Sequence, residues 1–400
     1  MKRKRCLLCL IVISLIFVTG CWKGRELNEL AIAVALGIDK VGNQYKVSVQ
    51  VVEPTEVAGK KGGDKTPVTT YQITANTIFE AVRKMTTINP RKIYPSHLRI
   101  VVLGESLAKE GIGQALDLLS RDEEIRTDFF IVVSKHTTAE NTLKVLTKLE
   151  TIPAVSLFST LQTSEKQWAP TTTVTLDQLI TTLVSEGRDP VLTGLVILGD
   201  EQIGQEKRNM EKVLTPTTLQ YSGLAVFKKD KLVGWLNETE SKAYNYISDE
   251  IKSTVGYVTC PQGGKITFEV IRSKTKVKGS VKDGQPQIDI EIRIEINIGE
   301  VQCSIDLLET KNIAEVERLA NSKVEGFIDA TVKKVQKKYK VDIFGFGDVI
   351  HRSNPKEWRK LKKNWDHTFE TMPVNVKVNH KIRHLGTVSN SFLEEMKKEE

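Results

Sequence analysis

The stretch that decides the fold of the C-terminal third is Ile288-Asp289-Ile290-Glu291-Ile292-Arg293-Ile294-Glu295-Ile296, in which apolar and charged residues alternate without a break. Successive side chains of a β-strand point to opposite faces, so one face of this strand is isoleucine alone and the other is charged. Ile266–Lys278 shows the same period of two. Together these stretches predict a sheet with one buried and one wet face.

The next segment, residues 312–340, changes to a helical period. Its apolar stripe consists of Ile313, Val316, Leu319, Ala320, Val324, Phe327, Ile328, Thr331 and Val335. We expect this helix to pack across the sheet. The alternative, a coiled coil with a partner, usually needs several more heptads.

The first half of the chain alternates between short apolar strands and amphipathic helices. Residues 31–39 and 45–53 predict a hairpin, and further strands are expected at Tyr71–Ala75, Leu98–Leu103, Phe129–Ser134 and Val191–Leu198. Residues 137–140 read Thr-Thr-Ala-Glu, a capping-box signature, and Gly187 is expected to cap the C-terminus of a helix over 176–184. This pattern indicates an α/β layout.

A second hairpin, 221–236, and a helix capped by Asn237 or Thr239 follow a polar stretch near residues 200–210. We therefore predict an α+β fold of three domains, with mixed and antiparallel sheets packed against helices. The predicted divisions are an N-terminal α/β domain over 21–200, a middle segment over 201–256, a C-terminal α+β domain over 257–388 and a charged tail over 389–400.

The N-terminus has the layout of a secretory signal. Lys2-Arg3-Lys4-Arg5 precedes an apolar run over 6–18, and Val18-Thr19-Gly20-Cys21 resembles a bacterial lipobox. We expect residues 1–20 to be removed and a diacylglycerol or palmitate chain to be attached to Cys21. The alternative is an uncleaved anchor, for which the run is short, since a spanning helix needs about 20 apolar residues.

Removing that signal changes how charge and cysteines are interpreted. The formal charge of +8 falls to +4 once the four N-terminal basic residues are gone, which is a weak field that gives nucleic acid little support as a partner. An anionic membrane surface stays possible. Cys6 and Cys9 are discarded with the signal, and Cys260 and Cys303 are either a disulfide pair or two buried thiols.

No catalytic constellation is evident in the sequence. Motifs of zinc proteases, α/β-hydrolases and P-loop enzymes are missing, and His380 and His384, though able to share a strand face, lack carboxylate or thiol partners for a metal. We predict no metal and ordinary surface histidines.

A short helix beginning at Pro355 places Trp358 and Trp365 on one side, with Arg359, Lys362 and Lys363 away from it. This helix is either a membrane or partner surface or part of the core. Its apolar side has only three residues, Trp358, Leu361 and Trp365, which is a weak membrane face and therefore favours the core.

Three groups of residues together resemble one family. They are Cys21-Trp22 with Arg25–Ala31, the hairpin Ser222–Phe227 with Lys231–Leu236, and the late series Phe344-Gly345-Phe346-Gly347, His351-Arg352, Trp358 and Trp365. Their order is similar to that of the Ger(x)C family, the lipoprotein C subunits of nutrient germinant receptors in spore-forming bacteria. The resemblance extends from Cys21 to about Gly386.

This resemblance implies a three-domain α+β protein held by its lipid on the outer face of the inner spore membrane. It implies A and B subunits of the same receptor as partners, and no enzymatic activity or cofactor. A different class, a lipid-anchored solute-binding protein of an importer, usually has a flexible tether after the cysteine and two similar α/β lobes joined by a hinge. This chain has no tether, and its final third is long-stranded. A secreted hydrolase would need a nucleophile and base that the sequence lacks.

Overall fold

The computed structural model describes residues 27–54, 66–260 and 263–386. The predicted signal peptide, Cys21 and the predicted tail over 389–400 lie outside these residues. Within them the chain forms two β-sheets with helices packed on both, so the predicted α+β class is confirmed. No helix in the described ranges has the length and apolar character needed to cross a bilayer.

The first sheet has nine strands. They are β1 (Leu30–Val41), β2 (Gln44–Val52), β3 (Val68–Ala75), β4 (Lys92–Tyr94), β5 (Ile100–Gly104), β6 (Phe130–Ser134), β7 (Val191–Leu198), β8 (Thr218–Lys228) and β9 (Lys231–Leu236). Their order is β3-β2-β1-β5-β6-β7-β8-β9, and β4 pairs with the start of β1. The central strands β1, β5, β6 and β7 are parallel, while both edges are antiparallel.

Helices cover both faces of this sheet, as a buried parallel centre requires. They are α1 (Ile78–Lys84), α2 (Glu105–Glu110), α3 (Gly113–Arg121), α4 (Ala139–Lys144), α5 (Pro153–Gln167), α6 (Leu176–Leu183), α7 (Glu201–Gly204) and α8 (Arg208–Glu211). One face packs against α1, α2, α3 and α6, and the other against α4 and α5.

Local signals account for several element boundaries. The predicted hairpin of β1 and β2 is confirmed, and its turn uses Gly42 at φ +54°. At the start of α4 the predicted capping box over 137–140 is wrong, because the cap lies one residue later. Thr138 is the N-cap and accepts the Asn141 N–H, and Glu140 forms ion pairs with Lys46 and Lys144.

The second sheet has the strands β10 (Thr254–Thr259), β11 (Lys265–Lys282), β12 (Gln285–Val301) and β13 (Val374–His384), in that order. The isoleucines of β12 from Ile288 to Ile298 are at most 6% exposed, which confirms the predicted buried face. Helix α10 (Thr310–Lys334) packs across this face and against β13, as predicted. Helices α11 (Phe346–Ser353), α12 (Pro355–Leu361) and α13 (Trp365–Thr371) connect α10 to β13.

The segment predicted as a middle division, 201–256, contributes to both sheets. Its strands β8 and β9 extend the first sheet, and its helix α9 (Glu238–Ile247) lies against α10. Leu224 and Val226 of β8 share one hydrophobic cluster with Ile247 of α9 and Ile294 of β12. A continuous apolar core therefore joins the two sheets.

Candidate functional site: the junction of the two sheets

The junction is built around the carboxylate of Asp342, which is 1% exposed. Its Oδ1 accepts the backbone N–H groups of Phe344, Gly345 and Phe346 at 2.9–3.1 Å, and its Oδ2 accepts that of Gly347 at 2.8 Å. Burial raises the pKa of Asp342 to about 7, while these N–H donors act in the opposite direction. One side chain thus fixes the whole turn that leads into α11.

Two tryptophans close this turn from the other side. Trp365 Nε1 donates to Asp342 Oδ2 at 3.0 Å, and the Trp365 ring packs edge-on against Trp358 with centroids 5.1 Å apart. Both side chains are almost completely buried. Placing Trp358 and Trp365 on a membrane or partner surface is therefore wrong, and the core alternative holds because the indole N–H has a buried acceptor.

The first sheet meets this turn through residues 185–189. A Cβ atom on Gly187 would lie 2.6 Å from the Asp348 nitrogen, so only glycine allows the approach. Ser185 Oγ donates to Asp348 Oδ1 at 3.0 Å, and the Asp189 N–H donates to the Asp342 carbonyl at 2.8 Å. The prediction that Gly187 caps a helix is wrong: α6 ends at Leu183, and Gly187 serves the close contact instead.

Arg188 is a half-buried cation next to this turn. Its aliphatic part lies over Gly345, and its Nη2 donates to the Tyr244 hydroxyl at 3.5 Å. Tyr244, Asp342 and Asp348 raise the pKa of Arg188, in that order of importance. The guanidinium borders a cavity of about 530 Å³ between α6, the start of β7 and the end of α9.

The basic residues of the predicted surface do not form one patch. Arg359 and Lys363 are exposed, whereas Lys362 pairs with Glu186 at 2.9 Å across the junction. A second ion pair, Lys228 with Asp366 at 2.8 Å, crosses at the same place. Both pairs are largely exposed, so each contributes little to stability.

The cysteines and histidines lie away from the junction. Cys260 and Cys303 are joined by a disulfide bond with Cα atoms 6.5 Å apart. His384 is exposed, but His380 is buried, which corrects the expectation of surface histidines. Its Nδ1 contacts Asn321 Oδ1 at 2.9 Å. Among the described residues no three His, Cys, Asp or Glu side chains are placed to share a metal.

Sequence reasoning missed Asp342, Gly187 and Arg188 as a set. A signal existed only for Asp342, because an aspartate shortly before Gly345 and Gly347 is typical of a capped turn. Gly187 and Arg188 are 154 or more positions away in the chain, and nothing local relates them to that turn.

The junction has hydrogen-bond acceptors and one half-buried cation, Arg188, and its central carboxylate, Asp342, is saturated with N–H donors. Its groups hold two sheets together. The fold and the site thus define an α+β scaffold in which two sheets share a core and a hydrogen-bonded junction.

Comparisons with known proteins place this scaffold in a family. The profile for the spore germination protein N-terminal domain matches residues 23–197, and that for the spore germination B3/GerAC-like C-terminal domain matches residues 222–386. The chain is 35% identical to spore germination protein KC of Bacillus subtilis over 99% of this chain and 100% of that protein. It is 27% identical to spore germination protein B3 of the same species, over 94% of this chain and 96% of the relative.

Among solved structures, the crystal structure of the GerBC protein aligns with a TM-score of 0.53 at 23% identity, covering 87% of this chain and 96% of that one. This similarity shows the same fold. The chain belongs to the Ger(x)C family of spore germination proteins.

Proposed function

We propose that this chain is the lipid-anchored, non-enzymatic C subunit of a nutrient germinant receptor, required for spore germination in response to nutrients. It acts with the A and B subunits of that receptor on the outer face of the inner spore membrane. A diacylglycerol or palmitate chain on Cys21 holds it there. The observation that carries the proposal is the match along the whole chain to relatives named as spore germination proteins.

The position of the first strand supports a role close to the membrane. The described fold begins at Leu27, six residues after Cys21, and β1 begins at Leu30. Six residues span at most roughly 20 Å when fully extended. A protein held at this distance meets membrane-embedded partners at a high effective concentration and in a restricted orientation.

The junction supports the non-enzymatic part. Asp342, the most deeply buried carboxylate of the site, has its acceptor positions filled by four backbone N–H groups and an indole N–H. A carboxylate held this way ties the turn before α11 in place and, at 1% exposure, is out of reach of a substrate.

The test is a long Gly/Ser linker inserted between Trp22 and Arg25, which leaves the lipid and the fold in place. We expect spores with this variant to respond poorly to the nutrients of this receptor, because the linker lowers the effective concentration and loosens orientation. They should still germinate with stimuli that bypass receptors. In parallel, Cys21→Ala should lose lipid label and membrane retention.

Several results would contradict this function. A normal nutrient response after deletion of the subunit, in a strain without related receptors, would exclude the receptor role. Turnover of a spore-derived compound by the purified protein would exclude the non-enzymatic role. Loss of solute uptake in the deletion strain, with germination intact, would favour the importer alternative.

A further inference from the structure

The wet face of the second sheet is strongly basic. It comprises the outward side chains of β11 from Arg272 onward, of β12 and of β13. Its nine cations are Arg272, Lys274, Lys276, Lys278, Lys282, Arg293, Lys377, Lys381 and Arg383, and its four carboxylates are Asp289, Glu291, Glu295 and Glu300. The net charge of this basic face is therefore +5.

That value exceeds the charge of everything after residue 20 taken together. The full chain carries +8, of which four charges belong to Lys2, Arg3, Lys4 and Arg5, leaving +4. The rest of the molecule is thus slightly acidic, and the positive charge is concentrated on one side of one sheet. A sheet face that only needs to be wet would mix the two signs.

The strand register places the cations in rows. Lys276 stands opposite Glu291, and Glu291 opposite Lys377; Lys274 stands opposite Arg293. The hydrogen bond from Arg293, with the charges of Lys276 and Lys278, lowers the pKa of Glu291. The carboxylates of the face are thus outnumbered and lie inside a positive field.

Only part of the basic charge is neutralised locally. Arg293 pairs with Glu291 at 2.7 Å, Arg383 with Glu295 at 2.9 Å and Lys381 with Glu317 at 2.9 Å, and Lys274 pairs with Asp249. Within the described ranges the remaining cations make no ion pair; they are Arg272, Lys276, Lys278, Lys282 and Lys377. Five long, exposed side chains are left to bind an anionic surface.

The shape of the face favours a bilayer over a protein partner. It is a sheet surface whose central strand β12 runs for 17 residues, roughly 55 Å. Protein interfaces usually depend on aromatic or apolar anchors in pockets, and this face carries only charged and amide side chains between Arg272 and Lys278, between Asp289 and Asn297 and between Asn375 and Arg383. Attraction to anionic lipid needs only dispersed Lys and Arg near the surface.

We propose that the basic face of the second sheet lies against an anionic lipid bilayer, so that the protein is held flat on the membrane. This inference rests on the proposed lipid anchor at Cys21, which brings the sheet within reach of the headgroups. The lipid then sets where the protein is, and the basic face sets how it is oriented.

The test uses the full-length, lipidated protein bound to vesicles. A dye is attached to Asn379→Cys at the centre of the basic face, or to Ser322→Cys on α10, which covers the opposite side of the sheet. A lipid-borne quencher should quench the dye at position 379, but not at 322, on vesicles containing phosphatidylglycerol. The quenching should disappear on pure phosphatidylcholine, and in about 1 M salt, where the screening length is about 3 Å.

The matched variants carry three charge reversals each. Lys276→Glu, Lys278→Glu and Lys377→Glu should reduce quenching at 379 to the level seen on phosphatidylcholine, since each basic residue near an anionic surface strengthens binding roughly fivefold. The control Lys252→Glu, Lys337→Glu and Lys356→Glu changes the total charge equally at exposed positions elsewhere. It should leave the quenching unchanged.

The outcomes separate this inference from the anchor on which it rests. If the protein does not associate with any vesicle, the lipid anchor has failed. If it associates but position 379 is unquenched on anionic vesicles, or the control variant has the same effect as the basic-face variant, the orientation is overturned. An unquenched face whose reversals still impair germination would indicate an acidic protein as its partner, which also overturns the proposal.

Discussion

Gly187 lies so close to Gly347 that a Cβ atom on Gly347 would sit 2.6 Å from the Gly187 Cα, and one on Gly187 would sit 2.7 Å from the Gly347 carbonyl carbon. The two residues are 160 positions apart: Gly187 lies in the loop before β7 of the first sheet, and Gly347 lies in the first turn of α11, which packs on the second sheet. The two backbones touch each other directly, so no flexible side chain could move aside if a larger residue replaced either glycine. This pair fixes how near the two sheets can come.

The first prediction concerns that contact. Gly187→Ala should destabilise the protein by about 1–3 kcal/mol, because the new methyl group overlaps the backbone of Gly347 and Asp348. Gly326→Ala is the matched control, since its Cβ would meet nothing within 4 Å on helix α10, and it should stabilise by up to about 1 kcal/mol. Denaturant unfolding of both variants measures this. Equal stability of the two would contradict the role given to Gly187.

Asp342 allows a second prediction. In Asp342→Asn an NH2 group, which donates hydrogen bonds, replaces the acceptor oxygen Oδ2. The N–H groups of Gly347 and Trp365 then lose their acceptor. Two buried, unsatisfied donors should reduce the free energy of unfolding by about 2 kcal/mol or more. Asp366→Asn, which removes only the exposed pair with Lys228, should cost about 1 kcal/mol or less. A mild effect of Asp342→Asn would show that the carboxylate is not the organiser of the turn.

The disulfide of Cys260 and Cys303 can be tested by counting thiols in the unfolded protein with and without reductant. The bridge closes a loop with a sequence separation of 43, for which chain entropy gives roughly 4 kcal/mol of stabilisation. Cys260→Ala with Cys303→Ala should therefore unfold at lower denaturant concentration than the oxidised parent. Two free thiols without reductant would exclude the bond.

His380 should make the second sheet sensitive to acid. Burial lowers its pKa from 6.5 to about 4, and Asn321 Oδ1, which accepts the His380 backbone N–H and contacts its Nδ1, fixes the neutral ring. The unfolded chain binds a proton between these values and the folded chain does not, so stability falls as pH decreases through 6.5 towards 4. From pH 7 to 5 the loss should be about 2 kcal/mol.

His380→Gln supplies the control for this pH dependence, because glutamine does not titrate. Asp342 acts with the opposite sign: its raised pKa means that its contribution to stability decreases as pH rises from about 4 to 7. That contribution is common to both proteins and cancels in their difference. Parallel stability curves for the parent and His380→Gln between pH 7 and 5 would exclude His380 as the source.

The sequence alone determined the elements that are marked by a periodic apolar pattern or by turn-forming residues at their ends. The alternation of 288–296 established the buried and wet faces of β12, and the apolar stripe of 312–335 established the helix that covers them, because each pattern is set by residues a few positions apart. The turn-forming residues over 40–44 predicted the first hairpin. The family resemblance came from the order of such local motifs.

Tertiary structure decided everything that depends on residues far apart in the chain. Trp358 and Trp365 have an amphipathic spacing that suits a membrane surface as well as a core, and only the buried Asp342 acceptor places them inside. Gly187 has the sequence context of a helix cap, yet its role is set by Gly347. The concentration of charge on one face depends on the alignment of three strands. Local sequence determines the apolar periodicity and the caps of each helix and strand. Which faces of these elements pack together is decided by the burial of apolar area and the satisfaction of hydrogen bonds across the whole fold.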